Sequence, residues 1–131
     1  MNYPIEKNIL VIGTRIPTPE LDAGSERMIC LLYELQELFS SVTFLPKYPN
    51  AWPPYDQPVK KVSNRLKKKG ITIPAPETYS TPAAYIENSP NRYAMIFLSD
   101  VYAAVEYLEL VRRTNPQAHI IFDTVDLHYL R

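Results

Sequence analysis

The short run "ILVI" at residues 9–12 constrains the fold more than any other feature, because it contains no polar residue and ends at Gly13. A strand with one face in water alternates apolar and polar side chains, whereas a strand covered by helices on both faces is apolar throughout. Further short strand candidates lie at residues 41–45, 71–73, 94–98 and 120–122. These runs predict the buried sheet of an α/β protein.

Helical patterns separate the strand candidates. Apolar residues recur every three or four positions in the segments 28–39, 59–66 and 101–111, which is the spacing of one helix face. A shorter helix is predicted at residues 82–88, where Pro fits the first turn. The predicted helix ends are an N-cap at Ser25, at Thr81 and at Ser99 or Asp100, and a C-terminal stop at Gly70.

Strands that alternate with helices at this spacing are joined by right-handed crossovers and pair in parallel. The predicted fold is therefore a Rossmann-like α/β sheet of about five parallel strands with helices on both faces. A length of 131 residues fits a single domain over residues 1–131.

The charges and the cysteine content exclude several classes of protein. Lys and Arg number 14 and Asp and Glu number 14, so the net charge supplies no general attraction to nucleic acid. Cys30 is the only cysteine, which excludes an internal disulfide and a cysteine-based metal site. We expect Cys30 to be a small buried hydrophobe in a reducing, cytoplasmic protein. The first residues lack the layout of a signal peptide or a membrane span.

Ligand groups of a parallel sheet lie in the loops that follow its strands. The first of these loops runs from Gly13 to Met28, and it is either a simple turn with a cap or a place where helix N–H groups bind an anion. It lacks the G-x-G-x-x-G and phosphate-loop patterns. Tyr48, Trp52 and Tyr55 follow the second strand candidate, where their rings either stack on a sugar or form an ordinary lid.

The second predicted helix is strongly basic. Its cations are Lys60, Lys61, Arg65, Lys67, Lys68 and Lys69. They form either a solvated face with charges near the negative C-terminal end of the helix or a docking surface for anionic lipid headgroups. The second interpretation predicts peripheral contact with the inner face of a membrane.

The closing stretch "HIIFDTVDLHYLR" carries the densest set of polar candidates. Its strand ends at Phe122 and is followed by Asp123, Asp126 and His128, which we expect at the same edge of the sheet as the first loop. Carboxylates there orient hydroxyl groups or act as general bases; alternatively, one caps a helix and the other pairs with a cation. This spacing does not form an oxygen cage, so no metal is expected.

Residues 8–46, "NILVIGTRIPTPELDAGSERMICLLYELQELFSSVTFLP", resemble the opening of the N-terminal domain of a glycosyltransferase family 4 (glycosyl transferase group 1) enzyme with the two-domain GT-B fold. The positions that carry the resemblance are Pro17, Pro19, Ala23, Gly24, Glu26 and Arg27. The closing stretch is similar to the family's later strand, which ends in a His-Asp or Val-Asp motif at the cleft between the domains. Both motifs lie in the family's order and together span nearly the whole chain.

The resemblance implies that a sugar is transferred from a nucleotide-sugar, with retention of configuration and without a metal or other cofactor. The acceptor it implies is a glycan or a lipid-linked glycan of surface polysaccharide biosynthesis, held mainly by this domain. Gly24 and Ser25 would present backbone N–H groups to the donor phosphate or the acceptor, and Asp126 would contact sugar hydroxyls. The other implied substrate-binding residues are Glu26, Arg27, Asp123, Trp52 and Tyr55.

Two departures from the family pattern shape the expected site. Val125 stands where many relatives have the cleft histidine, and its side chain cannot accept a proton, so His128 joins Asp126 as a catalytic candidate. Enzymes of this family bind the nucleotide-sugar chiefly in a C-terminal domain of similar size that carries an E-x7-E signature, and no such half is present among the 131 residues, so we expect a truncated enzyme that is inactive alone. The alternatives are a free-standing flavodoxin-like module for a flavin or nucleotide, and a non-catalytic partner subunit.

Overall fold

The computed structural model describes residues 8–20, 24–39, 41–49, 56–90 and 92–123. The described strands are β1 Asn8–Gly13, β2 Ser41–Pro46, β3 Met95–Leu98 and β4 His119–Phe122. The described helices are α1 Gly24–Leu38, α2 Asp56–Lys68, α3 Pro82–Glu87 and α4 Val101–Thr114, with a 3-10 turn at Pro76–Thr78. Helices separate each pair of consecutive strands, which confirms the predicted α/β class.

The described strands form one parallel sheet in the order β2-β1-β3-β4. β1 lies at its centre, where Ile9 pairs with Val42 of β2 on one side and with Met95 of β3 on the other. Residues 9–12 are fully buried, as their unbroken apolar run predicted. β4 is an edge strand of the described sheet, and its Ile121 side chain is partly exposed.

The third strand candidate, residues 71–73, is reduced to a single parallel bridge between Thr72 and Thr43 of β2. Phe44 N–H donates to the Thr72 carbonyl at 2.8 Å, and Thr72 N–H donates to the Val42 carbonyl at 2.9 Å. Pro74 follows two residues later and has no N–H with which to continue the ladder. Within the described residues the sheet therefore has four strands, where we predicted about five.

The Thr72 bridge nevertheless defines the topology of the sheet. Counted as the third strand-like segment of the chain, it lies outside β2, and the spatial order becomes 3-2-1-4-5. This is the order of Rossmann sheets that bind dinucleotides, whereas flavodoxin-like sheets have the order 2-1-3-4-5. The predicted Rossmann-like architecture is thus confirmed.

Two hydrophobic cores cover the two faces of the sheet. α1 and α2 pack on one face, with Leu32 and Leu66 buried against β1 and β2. α3 and α4 pack on the other face, with Ile86 and Tyr107 buried against β1 and β3. Successive residues of β1 point to opposite faces, so that it contributes side chains to both cores.

Two of the predicted N-caps are confirmed. Thr81 Oγ1 accepts a hydrogen bond from Ala84 N–H at 3.1 Å, and Pro82 occupies the first turn of α3. Of the two candidates for α4, Asp100 is the cap, since its Oδ1 accepts from Ala103 N–H at 2.8 Å. These side chains satisfy backbone N–H groups that have no partner within the helix itself.

Cys30 is exposed on α1, so the prediction that it is a buried hydrophobe is wrong. Its apolar neighbours in the sequence suggested burial, but adjacent helical residues point in different directions around the axis. Ile29 turns into the core, while Cys30 Sγ lies 4.0 Å from Glu26 Oε2 one turn earlier on the outer side. The thiol therefore makes no contribution to the core.

Gly70 ends α2, as predicted from the sequence. It has a φ of 91°, a left-handed conformation that glycine adopts without steric penalty. Gly70 N–H donates to the Lys67 carbonyl and Ile71 N–H donates to the Leu66 carbonyl, which is the hydrogen-bond pattern of a Schellman motif. The turn points Ile71 into the core and aligns the next residue, Thr72, with β2.

We expect Gly70→Ala to lower the free energy of unfolding by about 1–2 kcal/mol, because a side chain disfavours the left-handed backbone by that much. The added Cβ would also lie 2.9 Å from Gln36 Nε2, which must move away. Urea denaturation measures the change, with Lys68→Ala in the exposed last turn of α2 as the matched control. Equal stability of the two variants would contradict this account of the turn.

Candidate functional site

The carboxyl ends of the strands lie along one edge of the sheet, which we call the rim. β1 and β3 are neighbours, but the chain leaves them in opposite directions, toward β2 on one side and β4 on the other. Such a switch point opens a crevice at the rim, which is where open α/β sheets bind their ligands. The candidate site therefore includes the residues that follow β1, β3 and β4 at the rim, which are Thr14, Ser99 and Asp123.

Asp100 joins the loop after β1 to the start of α4. Its Oδ2 accepts hydrogen bonds from Thr14 N–H at 3.2 Å and from the Thr14 hydroxyl at 2.7 Å. Its other oxygen caps α4 through Ala103 N–H. The two carboxylate oxygens thus hold opposite sides of the crevice together.

Sequence reasoning assigned Asp100 only as a cap and gave Thr14 no role. Their contact spans 86 positions in the sequence, which no local pattern reveals. The available signal was their placement, since each follows a buried strand by one or two residues and those strands flank the switch point. Polar residues at such positions are candidates for a site even when they also cap a helix.

Gly13 lies at the floor of the crevice, where the loops after β1, β2 and β3 meet. Its carbonyl accepts a hydrogen bond from Lys47 N–H at 2.7 Å. A Cβ on Gly13 would lie 2.9 Å from Phe44 Cζ, which is closer than Cβ atoms approach other atoms, and 3.0 Å from Ser99 Oγ, which is a tight contact. A side chain at this position would therefore require the Phe44 ring to shift.

Arg27 and Asp123 form an ion pair across the rim. Arg27 Nη1 lies 2.9 Å from Asp123 Oδ2, and Nη2 lies 3.4 Å from Oδ1. The Asp123 side chain is only 7% exposed, whereas the Arg27 side chain is 52% exposed. A buried carboxylate needs a counter-charge and hydrogen bonds, and Arg27 supplies both from the first turn of α1.

The start of α1 lies beside this pair. α1 begins at Gly24, so Ser25 lies within the first turn and is not the N-cap that the sequence predicted. Its buried hydroxyl instead accepts a hydrogen bond from Thr18 N–H at 2.7 Å and so holds the first loop against the helix. Gly24 and Glu26 are exposed in the same turn.

Several of the sequence candidates lie outside the described residues. They are Trp52 and Tyr55 in the second loop, and Val125, Asp126 and His128 after β4. Their proposed contacts with sugar, and the catalytic roles of Asp126 and His128, stay predictions. The described part of the site therefore comprises the substrate-binding candidates Gly24, Ser25, Glu26, Arg27 and Asp123.

The cations of α2 have different surroundings. Arg65 Nε donates to the Tyr33 hydroxyl at 3.1 Å, and Lys69 Nζ lies 4.9 Å from the centroid of the same ring. These contacts fasten α2 to α1. Lys61 Nζ lies 3.2 Å from Glu20 Oε2 of the first loop. Lys60, Lys67 and Lys68 are exposed, and they have neither an ion pair nor an aromatic contact with a described residue.

Three tyrosines that pack on the α3 and α4 face have raised pKa values. Burial raises the pKa of Tyr107 to about 12, with a further contribution from the charge of Glu106. Burial likewise raises the pKa of Tyr93 and that of Tyr79. The Tyr79 hydroxyl is buried and has no hydrogen-bond partner among the described residues.

The described ranges contain no group of three or more His, Cys, Asp or Glu residues able to hold a metal ion. None of the helices in them is long and apolar enough to cross a membrane. Comparisons with protein-family models, curated proteins and solved structures gave no match. The function therefore has to be inferred from the residues of this chain and their geometry.

We expect a double-mutant cycle of Arg27→Ala and Asp123→Ala to give a coupling energy of about 1 kcal/mol, because the two-point contact is partly shielded from water. Arg27→Ala alone should destabilise the protein more than Arg112→Ala. Arg112 is exposed on α4 and has no ion pair with any described residue. Urea denaturation of the five proteins measures these differences, and effects of the two mutations that add to within about 0.3 kcal/mol would contradict a direct interaction.

Proposed function

We propose that this chain is the acceptor-side domain of a retaining glycosyltransferase of the GT-B type. The enzyme transfers a sugar from a nucleotide-sugar to a glycan or a lipid-linked glycan, as in the biosynthesis of surface polysaccharides. A second domain of similar size binds most of the nucleotide-sugar. The proposal starts from the resemblance of residues 8–46 and of the closing stretch to this family.

The observation that carries the proposal is the contact between the two motifs. Arg27 belongs to the first motif and Asp123 to the closing stretch, and they lie 96 positions apart in the sequence. In the folded chain their side chains meet at the rim, next to the switch point. Two motifs that form one sugar cleft have to converge in this way, so the contact supports the proposal.

The residues around this contact suit the recognition of a sugar. A carboxylate accepts hydrogen bonds from sugar hydroxyls, and the two contacts with Arg27 orient Asp123 for that purpose. Gly24 is exposed at the start of α1, where free backbone N–H groups bind a phosphate or a hydroxyl. Asp126 and His128 follow in the sequence as candidates to receive the proton that the acceptor hydroxyl loses during transfer.

Strand order separates the alternative of a flavodoxin-like module only through the Thr72 bridge, because the four described strands are by themselves in the order 2-1-3-4 of such a sheet. With the Thr72 bridge counted, the order of the strand-like segments is 3-2-1-4-5, whereas flavodoxin-like sheets have the order 2-1-3-4-5. A non-catalytic partner subunit would have the same rim, so strand order does not separate it from a domain of the enzyme. Activity measurements on the chain with and without a donor-binding domain make that distinction.

We expect the purified chain to bind oligosaccharides at the rim without transferring sugar. In NMR titrations with a panel of oligosaccharides, the amide signals of Thr14, Gly24 and Asp123 should shift. The amide signal of Gly70, which lies on the side of the sheet opposite to the rim, at the amino ends of the strands, should not shift. Asp123→Asn should weaken binding by about tenfold, since a charged hydrogen bond is worth roughly 1.5 kcal/mol or more. Glu109→Gln, on the exposed side of α4, is the control that should leave binding unchanged.

Three outcomes would count against this proposal. A yellow protein that retains flavin through purification would indicate the flavodoxin-like alternative. Sugar transfer by the isolated chain would contradict the assignment of donor binding to a second domain. Saccharide binding that shifts Gly70 rather than the residues at the rim would place the site elsewhere.

We extend the proposal to membrane contact through α2, because a lipid-linked acceptor lies at a membrane surface. Lys60, Lys67 and Lys68 are exposed and have no ion pair with a described residue, so their charges are available to anionic headgroups. Arg65 and Lys69 are engaged by Tyr33 of α1 and contribute less. This contact would hold the enzyme at the cytoplasmic face of the membrane.

Lys67→Glu combined with Lys68→Glu should lower the affinity for liposomes containing anionic lipid by about tenfold or more, since each basic residue near such a surface contributes about 1 kcal/mol. Arg112→Glu combined with Arg113→Glu changes the charge equally on α4 and should have a smaller effect. Co-sedimentation at low and physiological salt measures both. Binding that depends neither on anionic lipid nor on the α2 lysines would contradict membrane contact through this helix.

A further inference from the structure

An open cavity of about 480 Å³ lies between the first loop and the first turns of α2. Its volume falls within the range of small-molecule sites, which is roughly 300–1,000 Å³. The cavity is lined by Glu20, Gln57, Pro58, Lys60, Lys61 and Asn64. Glu20 follows β1 and Gln57 lies in the first turn of α2 after β2, so the cavity opens near the rim, on the β2 side of the crevice.

The lining of the cavity has one uncompensated positive charge. Lys61 and Glu20 form an ion pair with Nζ and Oε2 3.2 Å apart, which neutralises both. Lys60 has no ion pair with any residue that the structure describes. Lys60 is therefore available to pair with an anionic group of a ligand in this cavity.

The remaining lining residues suit a ligand with many hydroxyl groups. Gln57 and Asn64 each offer an amide N–H₂ and an amide oxygen, and neither amide is hydrogen-bonded to a described side chain. The Glu20 carboxylate keeps free acceptor capacity beside Lys61, because a carboxylate accepts up to about four hydrogen bonds. Pro58 adds a small apolar surface on which the C–H face of a sugar ring packs.

We propose that this cavity binds an acidic sugar unit of the acceptor, either a hexuronic acid or a sugar phosphate. This inference rests on the proposed function and specifies its acceptor class. Lys60 pairs with the carboxylate or phosphate, and the amides of Gln57 and Asn64 bind ring hydroxyls. A polyanion such as nucleic acid fits poorly, because the lining of the cavity offers no second unpaired cation for its next negative charge.

Calorimetric titration of the purified chain tests the proposal directly, without any activity measurement. The probes are glucuronic acid, glucose 6-phosphate, glucose and inorganic phosphate. At least one of the two acidic sugars should bind about tenfold more tightly than glucose, because a charge-assisted hydrogen bond is roughly twice as strong as a neutral one. It should also bind more tightly than inorganic phosphate, which has no ring to contact the amides. Whichever acidic sugar binds more tightly identifies the source of the negative charge.

Matched variants locate the site. Lys60→Gln should abolish the preference for an acidic sugar over glucose. Asn64→Ala should lower the affinity for glucose and for the acidic sugar by similar factors. Lys67→Gln removes the same charge from the same helix outside the cavity, and it should leave the titrations unchanged. Far-ultraviolet circular dichroism confirms that each variant is folded.

Equal binding of glucose and both acidic sugars would overturn the proposal, as would equal losses in Lys60→Gln and Lys67→Gln. Inorganic phosphate that binds as tightly as the better of the two acidic sugars would indicate a simple anion site and would also overturn it. If one of these results overturns the cavity proposal but neutral oligosaccharides still shift the amide signals of Thr14 and Asp123, the proposed function stands. The two proposals therefore fail separately.

Discussion

The burial of β1 on both faces and at both edges is the constraint on which the rest of the structure depends. β1 pairs with β2 and β3, and its side chains enter both hydrophobic cores. A strand in this position tolerates no polar side chain between residues 9 and 12. β1 ends at Gly13, because at that residue the loops after β1, β2 and β3 come into contact. The position of the crevice follows from this one strand.

The sequence patterns of individual segments were sufficient to predict most of the strands and helices. The apolar runs and the helical spacing identified the α/β class, and the caps at Thr81 and Asp100 followed from the chemistry of single side chains. Two of the predictions that were wrong also have local causes. The run at residues 71–73 has strand composition, but Pro74 limits it to the bridge at Thr72. Cys30 lies among apolar neighbours, but it faces outward because the helix rotates between adjacent residues.

The contacts of the candidate site are of another kind, because they join residues that are far apart in the sequence. The sequence identified Arg27 and Asp123 as separate substrate-binding candidates, and only the fold shows that they bind each other. The same holds for Thr14 and Asp100. Pairings of this kind depend on strand order, and strand order is not encoded in the pattern of any single segment.

The basic helix shows how one run of charges divides among several tasks. Arg65 and Lys69 pack on Tyr33 and so attach α2 to α1. Lys60 and Lys61 line the cavity near the rim, while Lys67 and Lys68 lie exposed in the last turn.

The close contact at Gly13 joins two parts of the structure, the hydrophobic core and the crevice. The edge of the Phe44 ring occupies the space that a side chain on Gly13 would fill, so one residue is at once part of the hydrophobic core and part of the crevice floor. A change in how Phe44 packs in the core would therefore be transmitted directly to the floor of the crevice.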